Sequence, residues 1–522
     1  MSASEMTMVT MPVPKVAANW HRILLEILLF GALFIILNPP LPYYTSNQNA
    51  HLLRGLEDGG MPQLKNDWLA ETTDPYPVFS ALVAVTSRFF APWMFAVYQM
   101  ILAGLYIVTL CNISEKALGL DASRRMHLAM CLLLLHSVLL SNKWVDGNGS
   151  RLLTDGVAGQ YILHNYFQPC SFGVFLLLAI DAFLSDRFGW AAAALAAAAT
   201  FHTTFLLPAG ILLLAFWWAR WREPDRLNSW RYVMLGSLLL LPITLYMAIA
   251  FVPSNAATAN EAANVLFLYR MTYHTRWQVC FRQKDLVRLI MIAGSLFIAR
   301  GSRLFQVLIG AVALGGVLTV IEILTENRFL ALQFPWRISS VLTPIATAVA
   351  VPWVEQLLLL IFRRFGRDKL LRLAFDVMFT AALLFAAVVG IWSAYQVRQR
   401  ALTDPVRNLA AAAAKAVKPD QQVLIPTTLE DFRLAAGVPV YVDYKSHPYQ
   451  SDEILEWSRR MQVAHAIFDN PAAADCGLLE KTAASEKLTH FVAPKGHPLL
   501  SCAIVKPIYS NEMYTLSLLA AH

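Results

Sequence analysis

Arg270, His274 and Arg276 in "VLFLYRMTYHTRW" and Arg337 in "LALQFPWRISS" stand among long apolar runs. A guanidinium holds phosphate oxygens bidentately, and an imidazole beside it can donate or accept a proton. Related residue types recur in Tyr161, His164 and Gln168 of "QYILHNYFQ", with Asp155 and Gln160 just before them, in His202 of "FHTT", and in Arg328. Carboxylates come earlier: Asp58, then Asp67 and Asp74 in "LKNDWLAETTDPYP". A carboxylate can take the proton of an attacking hydroxyl or stabilise a cation-like sugar. These types together suit a lipid-linked phosphate held by Arg and His while a sugar leaves it. Each also has a plainer use: interfacial arginines grip lipid headgroups, and a lone His or Asp often serves a turn or a helix cap.

The elements that must position these groups are membrane helices. The 522 residues are 57% hydrophobic and 15% charged, with mean hydropathy +0.49, far outside soluble usage. The net charge of +7 fits the Lys and Arg excess of cytoplasmic loops, and no basic face with interleaved aromatics suggests nucleic acid. Apolar runs fall at 23–37, 92–111, 126–140, 169–184, 190–218, 232–252, 286–299, 304–324, 338–362 and 373–395. The run 190–218 is too long for one untilted crossing and is interrupted by "FHTT". Read as a hairpin turning at 202–204, it returns the basic "ARWREPDRLNSWR" to the side of the other short basic loops.

That count predicts a mainly α, polytopic transmembrane bundle of about eleven spans. A cytoplasmic segment (1–22) leads into the membrane domain (23–395), and an extracytoplasmic α/β domain (396–522) follows. The long loops 38–91, 141–168, 253–285 and 325–337 then share the outer side with every residue singled out above. "VFSALVAVTSRFF" (78–90) is too short to cross and reads as an interfacial helix. Acids within the spans, Glu26, Asp181, Glu322, Glu355 and Asp376, lie toward the ends, unlike the midplane acid of a proton-coupled pump.

In the C-terminal domain "VLIP" and "VPVYVDY" read as strands, Thr427 and Glu430 as a capping box for a helix ending at Gly437, and "SDEILEWSRR" as a helix. "HFVAP", "CAIVKPIY" and "MYTLSLL" read as later strands. Without a phosphate loop or nucleophile elbow, the domain shows no chemistry of its own. Cys476 and Cys502 could bridge within it in an oxidising compartment, and no Cys or His spacing resembles a zinc site. No motif indicates a cofactor or a divalent cation.

The chain resembles the GT-C superfamily of integral-membrane glycosyltransferases. "SNQNAHLLRGLEDGGMPQLKNDWLAETTDPYP" is similar to the family's first outer loop, "VLFLYRMTYHTRW" to an Arg and His segment of bacterial members, and "LALQFPWRISS" to a late Gln, Pro and Arg signature. The resemblance implies sugar transfer from a polyprenyl-phosphate donor to an acceptor on the extracytoplasmic face of a bacterial inner membrane. Arg270, His274 and Arg337 would face the lipid phosphate, with His202, Gln168, Tyr161 and His164 beside the substrate. The family's catalytic acid stands just after the first span, where this chain has Ser46, Asn47, Gln48 and Asn49. Either Asp67 or Asp74 takes that role, or the chemistry differs, or the fold is kept without activity. The non-enzymatic readings are a transporter or flippase for a lipid-linked glycan and an assembly protein.

Overall fold

A computed structural model describes residues 20–140, 151–222, 226–363, 368–469 and 475–520, so most of the N-terminal segment and part of the loop 141–168 lie outside the described residues. Among these, seven helices are long and apolar enough to cross a bilayer: Trp20–Leu37, Met94–Leu118, Thr203–Trp221, Trp230–Ala250, Arg303–Thr325, Arg328–Arg363 and Val377–Thr403. Shorter helices, Ala122–Leu135, Val174–Leu184, Phe188–Phe201 and Gln283–Ile298, pack among them. Each apolar run of the sequence therefore falls on helices of one bundle, and the chain is a multi-pass membrane protein.

Close backbone approach holds the bundle together where side chains would keep helices apart. A Cβ on Gly31 would strike the carbonyl of Met100, and one on Gly104 would strike that of Ile27, so the first helix lies directly on Met94–Leu118. Away from the long loops, Arg125 pairs with Glu26 at 2.8 Å and Glu115 at 2.9 Å, and Lys116 pairs with Asp181. The acids Glu26 and Asp181 are thus fixed in ion pairs near one end of the bundle.

The run 190–218 is a hairpin. Phe188–Phe201 and Leu206–Trp221 are separated by the turn His202–Phe205, and Arg220 from the second arm lies 5.3 Å over the ring of Phe188 at the start of the first. The second arm with its turn, Thr203–Trp221, is long enough to cross, whereas the first, 14 residues and roughly 21 Å, falls short of a hydrocarbon layer of about 30 Å. Helix Pro77–Phe89 is shorter still, at 13 residues, and begins with proline at its first position.

The last bundle helix runs on to Thr403. There Asp404 accepts a hydrogen bond from Val406 N at 2.9 Å and caps the helix Pro405–Ala416. Beyond it, β1 (Val423–Leu424), β2 (His490–Pro494), β3 (Val505–Ser510) and β4 (Tyr514–Leu519) form a sheet in the order β1-β2-β4-β3. β1 runs parallel to β2, while β4 is antiparallel to both β2 and β3, with His490 opposite Leu518. Helices Ser451–Phe468 and Cys476–Ser485 pack against it through Trp457, Met461 and Leu479. Cys476 and Cys502 are bonded, their Cα atoms 5.5 Å apart.

Two local expectations fail here. Residues 438–444 form one bridge, Val440 to Val423, instead of a strand, because Asp443 turns to pair with Arg433 and to accept Ser446 N. The helix ending at Gly437 starts at Phe432, so Thr427 does not cap it.

Candidate active site

The long loops and the C-terminal region meet over the bundle and enclose a cavity of about 310 Å³. Its walls come from Asn47, His51 and Tyr76 of the first loop, Gln160, Tyr161 and Gln168 of the second, and His202 of the hairpin turn. Arg270, His274 and Arg337 complete the bundle side, and Lys445, His447 and Tyr449 enter from the C-terminal region. Seven residues singled out in the sequence, Arg270, His274, Arg337, His202, Gln160, Gln168 and Tyr161, are therefore neighbours here despite wide separation along the chain.

Arg337 sits in the short turn Pro335–Ile338 that starts a buried helix, and Phe334 before it takes a left-handed conformation at φ 52°. Arg337 is 8% exposed as a residue, and its guanidinium lies 4.9 Å over the ring of Phe205. Nε has no hydrogen-bond partner, and among the described residues no carboxylate pairs with the group. Arg270 ends the helical turn Leu266–Arg270; it donates to the carbonyl of Lys445 at 2.6 Å and leaves its own Nε unpartnered. Burial and the Arg270 charge push the Lys445 ammonium below its ordinary value.

The histidines are held neutral. Burial pushes His51 down to about 3, and Lys445, Arg337 and Arg270 add to the effect. Burial also lowers His274 to about 4, and its Nδ1 lies 3.1 Å from the carbonyl of Ala158. His447 lies well below the usual range through burial and the Arg270 charge, with Nδ1 2.8 Å from Pro448 O. Asn47, Tyr161, Tyr166 and Gln168 form a polar net in which Gln168 Nε2 donates to Tyr161 at 3.0 Å and Asn47 Nδ2 to Gln168 Oε1 at 3.3 Å. Among the described residues no carboxylate lines the cavity, and the charged groups in its wall are cations.

The two acids singled out from the sequence lie elsewhere. Asp67 is fully enclosed, paired with Arg433, and accepts Val440 N at 2.9 Å and Leu69 N at 3.0 Å. Such an acid clamps the first loop to the C-terminal region, and it does not reach the cavity. Asp74 lines a small adjoining pocket of about 40 Å³ that shares His51, Tyr76, His447 and Tyr449 with the cavity. Its Oδ1 accepts Tyr76 N at 2.8 Å, and burial raises its carboxyl above the usual range. His164 packs behind Tyr161, ring centroids 4.8 Å apart, outside the wall. Asp155 accepts Arg151 N at 3.0 Å, and Arg328 pairs with Asn264.

Comparison with known proteins bears first on the fold. ArnT from Cupriavidus metallidurans bound to undecaprenyl phosphate matches over 96% of this chain and 98% of its own, with TM-score 0.50 and 13% identity. The chain has a GT-C fold. The apo state of the same ArnT matches over 96% of this chain and 97% of its own, at TM-score 0.47 and 14% identity. A family model described as a domain of unknown function (DUF6798) covers residues 405–464. No curated protein matches by sequence.

That 60-residue stretch holds the part of the site that composition hid. In this GT-C fold the C-terminal region, which the sequence credited with no chemistry of its own, is part of the cavity wall. Lys445, His447 and Tyr449 alternate along the chain and all three line the cavity, and Pro448 restricts the backbone of the residue before it. The alternation of Lys, His and Tyr in "YKSHPY" was the available signal.

Proposed function

We propose that this protein is a membrane glycosyltransferase that moves a sugar from a polyprenyl-phosphate-linked donor to an acceptor on the extracytoplasmic face of a bacterial inner membrane. The observation that carries the reading is Arg337: a buried arginine with no counter-charge among the described residues, opening on a cavity shared with Arg270 and Lys445. Burying an unpaired charge costs several kcal/mol, roughly, and is relieved when an anion arrives. A phosphate can accept from both arginines at once. The comparison structure carrying undecaprenyl phosphate supports the choice of a lipid phosphate over a free one. The Cys476–Cys502 bond favours an oxidising compartment for the C-terminal region and hence for the cavity.

In this reading the cations hold the leaving phosphate. Tyr161, Gln168 and His202 border the sugar, and Asp74 fixes the backbone of Tyr76 at the junction with the side pocket. Asp67 supports the first loop from below. The test is made in nanodiscs with undecaprenyl phosphate carrying radiolabelled hexoses or pentoses. Saturable binding of undecaprenyl phosphate, with sugar release or transfer that Arg337→Gln abolishes, is the expected result. A wild type that fails to bind undecaprenyl phosphate overturns the proposal.

A further inference from the structure

We propose that His447 is the group that takes the acceptor's proton in this reaction; the inference rests on the glycosyltransferase reading. The transfer needs a base, since the attacking hydroxyl must lose its proton as it bonds to the sugar. Among the described residues the lining of the cavity contains no carboxylate, Asp67 is sealed against Arg433, Asp431 accepts from Ser46 N and Asn49 Nδ2, and Asp74 accepts Tyr76 N at Oδ1. The proton acceptor must therefore be sought among the other lining groups.

His447 has its tautomer set by geometry. Its Nδ1 lies 2.8 Å from the carbonyl oxygen of Pro448, which can only accept, so Nδ1 carries the hydrogen and Nε2 presents a lone pair. The same logic applies to His274 through Ala158 O, but His274 lines only the cation-rich cavity. His447 and His51 both border that cavity and the pocket beside Asp74, but among the described residues His51 Nδ1 has no hydrogen-bond partner to set its tautomer, whereas a hydroxyl entering from the pocket meets the lone pair of His447 without displacing the phosphate. His202 is engaged by Thr204 at 2.9 Å. In the step, the acceptor oxygen bonds to the anomeric carbon and the bond from that carbon to the phosphate oxygen breaks. Its electron pair leaves on the lipid phosphate, facing Arg337, Arg270 and Lys445, and the hydroxyl proton passes to Nε2 of His447.

The product complex then holds a phosphate dianion beside a protonated His447. The charged groups acting on this ring are Arg270 and Lys445, with the titratable His51 and Tyr449 beside it, and the two cations oppose its proton until an anion is present. Binding of the product alone should therefore draw a proton onto the protein, and neither the sugar nor the acceptor is needed to see it. Calorimetry of undecaprenyl phosphate binding to the full chain in nanodiscs, at pH 7.5 in buffers of different ionisation enthalpy, reads the proton count. The wild type should take up about half a proton or more. His447→Asn, whose amide N–H can still reach Pro448 O, should take up correspondingly less, and His447→Gln is the second variant. Wild-type affinity should fall as pH rises from 6 to 8, with a flatter slope in the variants. Binding without proton uptake by the wild type, or equal uptake in wild type and variants, overturns the assignment. Absence of wild-type binding instead overturns the glycosyltransferase reading.

Discussion

Arg337→Met separates a binding cation from a structural one, because the two roles predict opposite signs for stability. Methionine keeps a long apolar stem against Phe205 and Phe334 and removes the charge of a residue that is 8% exposed and has no carboxylate partner among the described residues. Relief of the unpaired charge is worth several kcal/mol, and the lost cation–π contacts give back about 0.5–2 kcal/mol, so ligand-free protein should gain roughly 1–3 kcal/mol. Binding moves the other way. Two charge-assisted hydrogen bonds to phosphate contribute about 1.5–3 kcal/mol each, so the loss of both should raise Kd for undecaprenyl phosphate by roughly 10²–10⁴. Thermal unfolding in nanodiscs, followed by tryptophan fluorescence with and without undecaprenyl phosphate, measures both effects. Arg270→Met is the contrast: that guanidinium already donates to Lys445 O, so its loss should weaken binding without stabilising the protein. A less stable Arg337→Met protein that binds undecaprenyl phosphate with unchanged Kd would refute the reasoning.

Asp67→Asn should cost stability before it costs binding. It leaves Arg433, 2% exposed, with Asp443 as its remaining partner, a loss of about 3 kcal/mol at the low end for a broken buried pair. Unfolding temperature should fall while Kd for undecaprenyl phosphate changes less than about threefold in protein that stays folded; a transfer defect at full stability would return Asp67 to the chemistry. The pH dependence follows from His51 and His274, held near 3 and 4 in the fold against 6.5 when unfolded. Their folded values are depressed, so the unfolded chain binds more protons between about 4 and 6.5 and stability rises with pH across that window. Ligand-free protein should therefore unfold at lower temperature at pH 5 than at pH 7, and bound undecaprenyl phosphate should flatten the slope. A profile with its maximum near pH 5 would contradict the burial of neutral histidines.

What the sequence made legible depended on whether the deciding interaction was local. Hydropathy exposes the helices because each must bury its own apolar length in lipid, and the hairpin at His202 followed from counting charges on either side of it. The cations of the site were visible for a related reason: Arg270 and Arg337 stand where an apolar run stops, and an arginine there needs an anion of some kind. Asp67 misled because an acid before Trp68 in a polar loop looks the same whether it acts or clamps. Only Arg433, 366 residues away, decides between the two. The same distance hid Lys445 and His447, since the alternation in "YKSHPY" is plain from spacing but its neighbours are not. Even the polar stretch after the first span changes meaning once the chain is folded. Ser46 N donates to Asp431 at 2.7 Å and Asn49 Nδ2 to the same oxygen at 3.2 Å. The place without an acid of its own therefore has one brought to it by the C-terminal region. That region also supplies Lys445 and His447, so the cavity is complete only when both ends of the chain have met.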